Sequence, residues 1–490
     1  PEQLLEVVPG AHALIIRSAT KVTADVVAAG TDLVVVGRAG VGVDNVDTQA
    51  ATRRGVMVVN APGSNSLSTA EHTMALLLAQ ARNIPQADAA LKAGKWQRAK
   101  WEGVELHGKT IGVLGLGRIG TLVAQRAHAF GMRLVAWDPW AAPERARQLG
   151  IAMLDLEELF AVADFVTIHL NKTKDTVGLI GDELLAKAKP GIRLVNAARG
   201  GIIDEAALAR ALESGIVGGA ALDVFDVEPT TESPLFKLDT VVVTPHLAAS
   251  TSEAQDKAGL VIAEQVLLAL AGDFVPFAIN VEASEASDAV RSYLPLAERL
   301  GRLYGVLNGH LPDTLEIEYQ GELGSYDTRI LSLSVLKGLL GVFTADPVSY
   351  VNAPQMAAEL GVSMRDSKTT TVQDYVNLVA VRGGDHGVAG TLFGLRGEPR
   401  IVAVDAPAIE LPLGPNLLVV RNDDRVGMLA AVTAAVADAG VNIADARLGR
   451  SPSGGTALVV LTSDDPYPDG LEKKLADHPG ILDVRIVNGA

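Results

Sequence analysis

Lys109-Thr-Ile-Gly-Val-Leu-Gly-Leu-Gly-Arg-Ile-Gly120, followed by Val135-Ala-Trp-Asp138, decides how this chain folds. Thr110 to Leu114 has the apolar character of a strand buried in a parallel sheet, and Ile119, Val123 and Ala127 mark one face of a following helix. The turn between them carries three glycines with separate tasks. Gly115 permits the tight turn, Gly117 lets backbone N–H groups approach a pyrophosphate, and Gly120 allows the helix to pack closely on the strand. Arg118 and Ile119 open the helix, whose N-terminus faces the negative charge. Asp138 closes the second strand roughly 20 residues on, where a carboxylate accepts hydrogen bonds from adenosine ribose hydroxyls and favours NAD over NADP. Strand, turn, helix, strand and acid in register specify a Rossmann site.

The pattern continues on both sides. Ala13 to Arg17, Leu33 to Gly37 and Val56 to Val59 are short strand runs with Ala/Val-rich helical segments beside them, and a long helix is expected from about Thr69 to Arg82, read as a core or interface helix. Further strands are expected at Phe165 to His169, Arg193 to Asn196, Ala220 to Asp223 and Val241 to Thr244, and helix Glu253 to Leu270 returns the chain to the first domain. Glu282-Ala-Ser-Glu-Ala-Ser-Asp288 and Pro407 to Pro415 read as joints. Between them, strand runs Leu315 to Tyr319, Val376 to Arg382 and Arg400 to Val404 alternate with helices Ile330 to Leu340 and Pro354 to Leu360. The tail reads βαββαβ, a ferredoxin-like order. The expected fold class is thus α/β, with two doubly wound parallel-sheet domains followed by an α+β intervening domain and a ferredoxin-like domain. The boundaries are 1–66 with 250–283, 67–249, 284–412 and 413–490.

Bulk properties exclude several classes of function. At 490 residues the chain is long enough for about three domains. A formal charge of −16 argues against a nucleic-acid or anionic-membrane surface. No cysteine means no disulfide, thiolate nucleophile or Cys-ligated zinc, which suits a reducing cytoplasm. The longest apolar stretches are too short and too interrupted to span a bilayer. Pro1 leads without a methionine into a helix-like segment, so the natural start is expected upstream.

Three polar residues are read as standing at the C-terminal ends of expected Rossmann strands, where open α/β sheets bind ligands: Arg199, Glu228 and His246. Hydride transfer from an alcohol needs a base for the hydroxyl proton, and a neutral imidazole serves near pH 7. A carboxylate on its far nitrogen orients the ring and raises its pKa. An arginine forks onto a carboxylate or carbonyl oxygen. Singly, Glu228 before Pro229 reads as a turn residue and His246 as a loop histidine; together they form a constellation.

Gly115-Leu-Gly-Arg-Ile-Gly120, Asn196-Ala-Ala-Arg-Gly-Gly-Ile-Ile-Asp204, Ala221-Leu-Asp-Val-Phe225 and Pro245-His-Leu-Ala-Ala-Ser-Thr251 resemble the D-2-hydroxyacid dehydrogenase family over nearly the whole chain. Asn60-Ala-Pro-Gly-Ser-Asn65 and the two C-terminal domains point to its long phosphoglycerate dehydrogenase branch, whose tail is an ACT domain. The resemblance implies that Arg199, Glu228 and His246 are catalytic. It implies NAD contacts at Val41, Arg118, Ile119, Asp138, Leu170, Ala197, Ala198, Asp223, His246, Leu247, Ala248 and Ala249, beside the glycines and Arg199. Arg17, Ser18 and Asn65 would hold the phosphorylated substrate, 3-phosphoglycerate. Arg38 to Asp44 reads as an anion nest or as a tight strand-to-helix turn, and Lys95, Arg98 and Lys100 as a phosphate aid or as solvated surface. Asn422, Asp424 and Asn442 fall where the family holds a serine effector between paired tails, implying a homodimer or homotetramer. Val426 replaces the usual proline before Gly427, and Asn422 stands where family members often carry a ring. A glyoxylate or hydroxypyruvate reductase and a non-catalytic NAD-sensing interaction protein remain as alternatives.

Overall fold

The computed structural model describes residues 2–140, 143–281, 287–345, 347–371, 374–394, 396–405, 408–450 and 454–489. Pro1, five residues of the 282–288 joint and Pro407 of the second joint lie outside the described residues. The chain falls into two compact units, one of Ala39–Val41 and Ala61–Val261, the other of Pro1–Arg38, Gly42–Asn60 and Ile262–Ala490.

In the second of these, the first sheet has three parallel strands in chain order, β1 (Ala13–Ile16), β2 (Val35–Arg38) and β3 (Met57–Val59). Its free side is sealed from far along the sequence. Val59 bridges Ala278, the Val58 N–H donates to Asn280 Oδ1 (2.8 Å), and Asn280 Nδ2 donates to Thr52 Oγ1 and the Val56 carbonyl. Gly37 has no room for a side chain, since a Cβ there would lie 2.7 Å from Ile262 on the returning helix.

The other unit is built on a parallel seven-stranded sheet. Its strands are β4 (Thr110–Leu114), β5 (Arg133–Trp137), β6 (Ala152–Met153), β7 (Phe165–Ile168), β8 (Ile192–Asn196), β9 (Val217–Leu222) and β10 (Val241–Val243), in the order β10-β9-β8-β7-β4-β5-β6. The direction of winding reverses between β4 and β7, and it is at the carboxyl ends of such a switch point that open α/β sheets bind ligands. Apolar layers cover both faces, one containing Ile111, Val113 and Phe165, the other Leu114, Val166 and Ile168. The helix Ser66–Ala81 buries Leu76, Leu77 and Gln80 against one face, and Gln80 occupies the space left by Gly219.

A six-stranded sheet follows in the order β12-β11-β13-β14-β15-β16. These strands are β11 (Thr314–Gly321), β12 (Ser363–Thr369), β13 (Asn377–Gly383), β14 (His386–Phe393), β15 (Glu398–Val404) and β16 (Ala408–Pro412). Its helices Leu294–Asn308 and Arg329–Phe343 meet through reciprocal glycines: a Cβ on Gly301 would lie 1.9 Å from the Val335 carbonyl oxygen, and one on Gly338 equally close to that of Glu298. The tail forms an antiparallel sheet of β17 (Asn416–Asp423), β18 (Asp445–Arg450), β19 (Thr456–Ser463) and β20 (Ile481–Val487), ordered β18-β19-β17-β20 as βαββαβ requires. Edge strands β16 and β18 adjoin, and Arg447 Nε donates to the Glu410 carbonyl (2.7 Å). Arg421 on β17 pairs with Asp405 after β15.

Among the elements of the α+β domain that were not expected from sequence are β12, β14, β16 and the helix Leu294–Asn308. β12 is exposed almost throughout and shows no alternation, β14 is broken by Gly387 and Gly390, and β16 ends at Pro412. The helix carried a readable signal, Pro295 in its first turn and Gly309 in the left-handed region just after it.

Candidate active site

The phosphate turn is shaped by its three glycines. Gly115 has φ +92°, and a Cβ there would come within 2.7 Å of the His169 carbonyl oxygen. At Gly120 the gap to the Gly115 carbonyl oxygen would close to 1.9 Å. Gly117 differs, because a Cβ built on it meets nothing within 4 Å. It caps the helix Arg118–Ala129, so open space lies at the helix N-terminus. Close packing on two sides and a clear third side fit a pyrophosphate group. Asp138 Oδ2 accepts the Leu116 N–H (2.7 Å) and Oδ1 the Trp140 N–H (2.9 Å). The Asp138 carboxylate thereby braces the phosphate turn.

Beyond the ends of β9 and β10, His246 Nδ1 lies 2.6 Å from Glu228 Oε2, and the Phe225 N–H donates to Oε1 (2.9 Å). Burial works to raise the Glu228 carboxyl, yet the bond to His246 and the Phe225 N–H outweigh it and hold it below the ordinary range. An ionised carboxylate only accepts, so His246 Nδ1 carries the proton and Nε2 is left to take one. The hydrogen bond to Glu228 raises the imidazole pKa against the opposing pull of burial, while the Arg199 charge lowers it. Arg199 NH1 donates to the Ala198 carbonyl (2.8 Å), and Asn196 ties this loop by accepting the Ala198 N–H and donating to the Arg199 carbonyl. Gly200 brings the loop onto its neighbour, since a Cβ would sit 1.8 Å from the Phe225 carbonyl oxygen. Backbone contact at Gly200 thus brings the segments carrying Arg199 and Glu228 together.

Three family models match: the D-isomer specific 2-hydroxyacid dehydrogenase NAD binding domain over residues 74–248, the D-3-phosphoglycerate dehydrogenase intervening domain over 289–405, and the ACT domain over 416–482. D-3-phosphoglycerate dehydrogenase of Mycobacterium tuberculosis (strain ATCC 25618 / H37Rv) is 49% identical over 492 residues, 99% of this chain and 93% of that protein. The chain belongs to the D-3-phosphoglycerate dehydrogenase family. Its relative of the same name from Bacillus subtilis is 40% identical, covering 97% of this chain and 92% of that one. Among solved structures, D-lactate dehydrogenase from Escherichia coli matches with TM-score 0.54 and 26% identity, over 57% of this chain and 89% of that one. D-lactate dehydrogenase from Aquifex aeolicus, complexed with NAD and lactic acid, matches with TM-score 0.50 and 28% identity, over 56% and 86%. The chain is therefore an NAD-dependent dehydrogenase of the 2-hydroxyacid class.

Other residues that the family resemblance singled out occupy varied settings. Leu170 and Ala197 are buried just beyond the ends of β7 and β8. Asp223 is fully buried, and its carboxylate accepts from Thr244, Leu247 N–H and Ala248 N–H, so a direct cofactor contact requires displacing a donor. Asn65 caps the helix Ser66–Ala81 without a side-chain capping bond, and its buried Oδ1 meets no donor among the described residues. Arg17 and Ser18 are exposed just beyond β1. The segment 38–44 does not run directly into a helix, which starts at Thr48 behind the Asp47 cap. Lys100 is engaged elsewhere, donating to Asp239 (2.7 Å) and lying over the Trp101 ring. In the tail, Asn422 is buried and Asp424 faces Arg450 (3.4 Å) in the turn before the helix Met428–Asp438, whereas Asn442 is exposed after that helix. Eleven helical residues, about 16 Å at ~1.5 Å each, separate the two ends. One tail cannot gather all three residues around a small molecule. Sequence reasoning missed His72, Thr244, Asn196 and Gly200; of these, Asn196 and Gly200 lay inside a quoted motif and Thr244 ended an expected strand.

No helix among the described residues is long and apolar enough to cross a membrane, and no cluster of three His, Asp or Glu residues there could hold a metal ion.

Proposed function

We propose that the protein oxidises 3-phosphoglycerate at C2 to 3-phosphohydroxypyruvate with NAD, the first step of L-serine formation, and that serine acts back on it through the tail. The observation that carries the reading is the 2.6 Å His246–Glu228 pair beside a glycine turn shaped for a dinucleotide. Relatives covering nearly the whole chain, which bear the name D-3-phosphoglycerate dehydrogenase, support the substrate.

In this reading Gly115, Gly117, Gly120 and the start of the helix at Arg118 and Ile119 hold the pyrophosphate, Asp138 the ribose, and the segments around Ala197 and Leu247 to Ala249 the nicotinamide end. Bound NAD supplies the hydride acceptor. Arg199 grips the substrate carboxylate or developing carbonyl oxygen, while His246 Nε2 takes the C2 hydroxyl proton as the C–H bond breaks. Glu228 stabilises the resulting imidazolium and keeps the ring oriented. Arg17, Ser18 and Asn65 receive the phosphorylated substrate. The nucleotide domain spans 67–249, the substrate domain 1–66 with 250–283, the intervening domain 284–412 and the regulatory tail 413–490. A serine site of Asn422, Asp424 and Asn442 needs two tails, so the working protein is a homo-oligomer.

Initial rates with NAD or NADP against several 2-hydroxy acids, with and without a phosphate group, test the proposal. Turnover confined to unphosphorylated acids, or to NADP, would overturn it.

A further inference from the structure

We infer that His72 is a positioning residue for the proton-transfer pair: from the helix Ser66–Ala81 it clamps the Asp223 carboxylate at the end of β9 and so fixes the backbone around His246. The inference rests on the dehydrogenase reading.

His246 has φ +55°, a left-handed conformation that is costly for a residue with a Cβ and must be held by its surroundings. Asp223 supplies that hold. Its main-chain carbonyl accepts the His246 N–H (2.8 Å), Oδ1 accepts the Leu247 N–H (2.7 Å), and Oδ2 accepts the Ala248 N–H (2.9 Å). Ahead of His246, Thr244 donates its hydroxyl to Oδ1 (2.6 Å). One buried carboxylate therefore grips the chain on both sides of the catalytic histidine.

A wholly buried carboxylate must itself be held, because an unpaired charge away from water is costly. From the helix Ser66–Ala81 His72 reaches it, with Nε2 3.3 Å from Asp223 Oδ1 and 3.2 Å from Thr244 Oγ1. The single Thr244 hydroxyl proton already goes to Asp223, which only accepts, so both contacts require His72 to donate from Nε2. The four hydrogen bonds outweigh burial and keep the Asp223 carboxyl below its ordinary range. Without the imidazole, Oδ1 loses one of its three donors, the space beside it opens to water, and the strained turn at His246 loses its brace.

The experiment compares wild type with His72→Ala, His72→Gln, His246→Ala and the His72→Ala/His246→Ala double variant. It measures kcat, KM, NAD affinity by fluorescence, thermal midpoint, and hydrogen exchange at the Leu247 and Ala248 amides. A displacement of about 1 Å at a reacting group costs on the order of 100-fold, so His72→Ala should lower kcat roughly 10- to 100-fold while KM changes much less. Gln places its amide nitrogen near the position of Nε2, and His72→Gln should recover most of the rate and of the exchange protection. On the His246→Ala background, removing His72 should change the residual rate less than about twofold, because residues acting as one unit are not additive. Wild-type kcat in His72→Ala, no rescue by Gln, or losses that multiply in the double variant would each overturn the inference. Should wild type oxidise no 2-hydroxy acid, the dehydrogenase reading fails, and exchange at Leu247 and Ala248 still decides whether His72 braces the turn: unchanged protection in His72→Ala refutes it.

Discussion

His246 combines two demands at one position: a left-handed backbone and a ring seated on Glu228. His246→Ala removes the proton acceptor and should lower kcat by roughly 10²- to 10⁴-fold, with NAD affinity preserved because Gly117 and Asp138 are untouched. Equilibrium titration beside steady-state rates will separate the two effects. The pH dependence has a definite sign. Glu228 raises the imidazole pKa, and oxidation needs the neutral ring, so the rate rises with pH through a value above 6.5. Glu228→Gln removes the charge that favours imidazolium and should move that rise toward acid; an unmoved kcat/KM profile would show the pair uncoupled. Glu228 and His246, which the sequence suggested as a pair from their complementary chemistry, do lie 2.6 Å apart, and Gly200 brings the Arg199 loop onto the Phe225 segment. His72 could not be read from sequence, because a histidine inside an Ala- and Leu-rich helix looks like any core position until the strand it faces is known.

The phosphate turn and the helix behind it act as one element. Gly120→Ala would force a Cβ to 1.9 Å from the Gly115 carbonyl oxygen, so the helix must move off the strand. We expect a loss of about 1–3 kcal/mol on the scale of overpacked interiors, together with weakened NAD binding. Denaturant unfolding with and without NAD measures both, and a variant that binds NAD normally would show that the close approach is dispensable. Asp138→Ala paired with a nearby Arg should shift preference toward NADP, but the Leu116 and Trp140 amides lose their acceptor as well. Both cofactors should therefore bind more weakly than NAD binds the wild type, and a swap of preference at full affinity would contradict the bracing role. This element was fully legible because glycine spacing reports backbone geometry. The six-stranded sheet was legible only in part. A strand with both faces wet, such as β12, has no reason to alternate, and β14 carries Gly390 where the helix Leu294–Asn308 presses on it through Leu296 and Leu300.

At the scale of the whole molecule, the tail is tied to the six-stranded sheet at several places, one of them beside Asn422. Arg421, next to Asn422, pairs with Asp405, which also holds His386 and the Gly387 N–H of the six-stranded sheet. If serine inhibits, Arg421→Ala should keep serine binding while losing inhibition, and Asp424→Ala should lose both; couplings of this kind are roughly 1–3 kcal/mol. Calorimetry and inhibition curves distinguish the two outcomes, and a wild type indifferent to serine in both would reassign the tail to assembly. The seal on the first sheet has a consequence of another kind. Val58 waits for Asn280, 222 residues later, to satisfy its backbone N–H. At about 5–20 residues per second, a ribosome needs roughly 11–44 s to cover that interval. During it the nascent chain carries an open edge of Met57, Val58 and Val59, the kind of unpaired strand edge that invites pairing with another chain until residues 278–280 arrive to cover it.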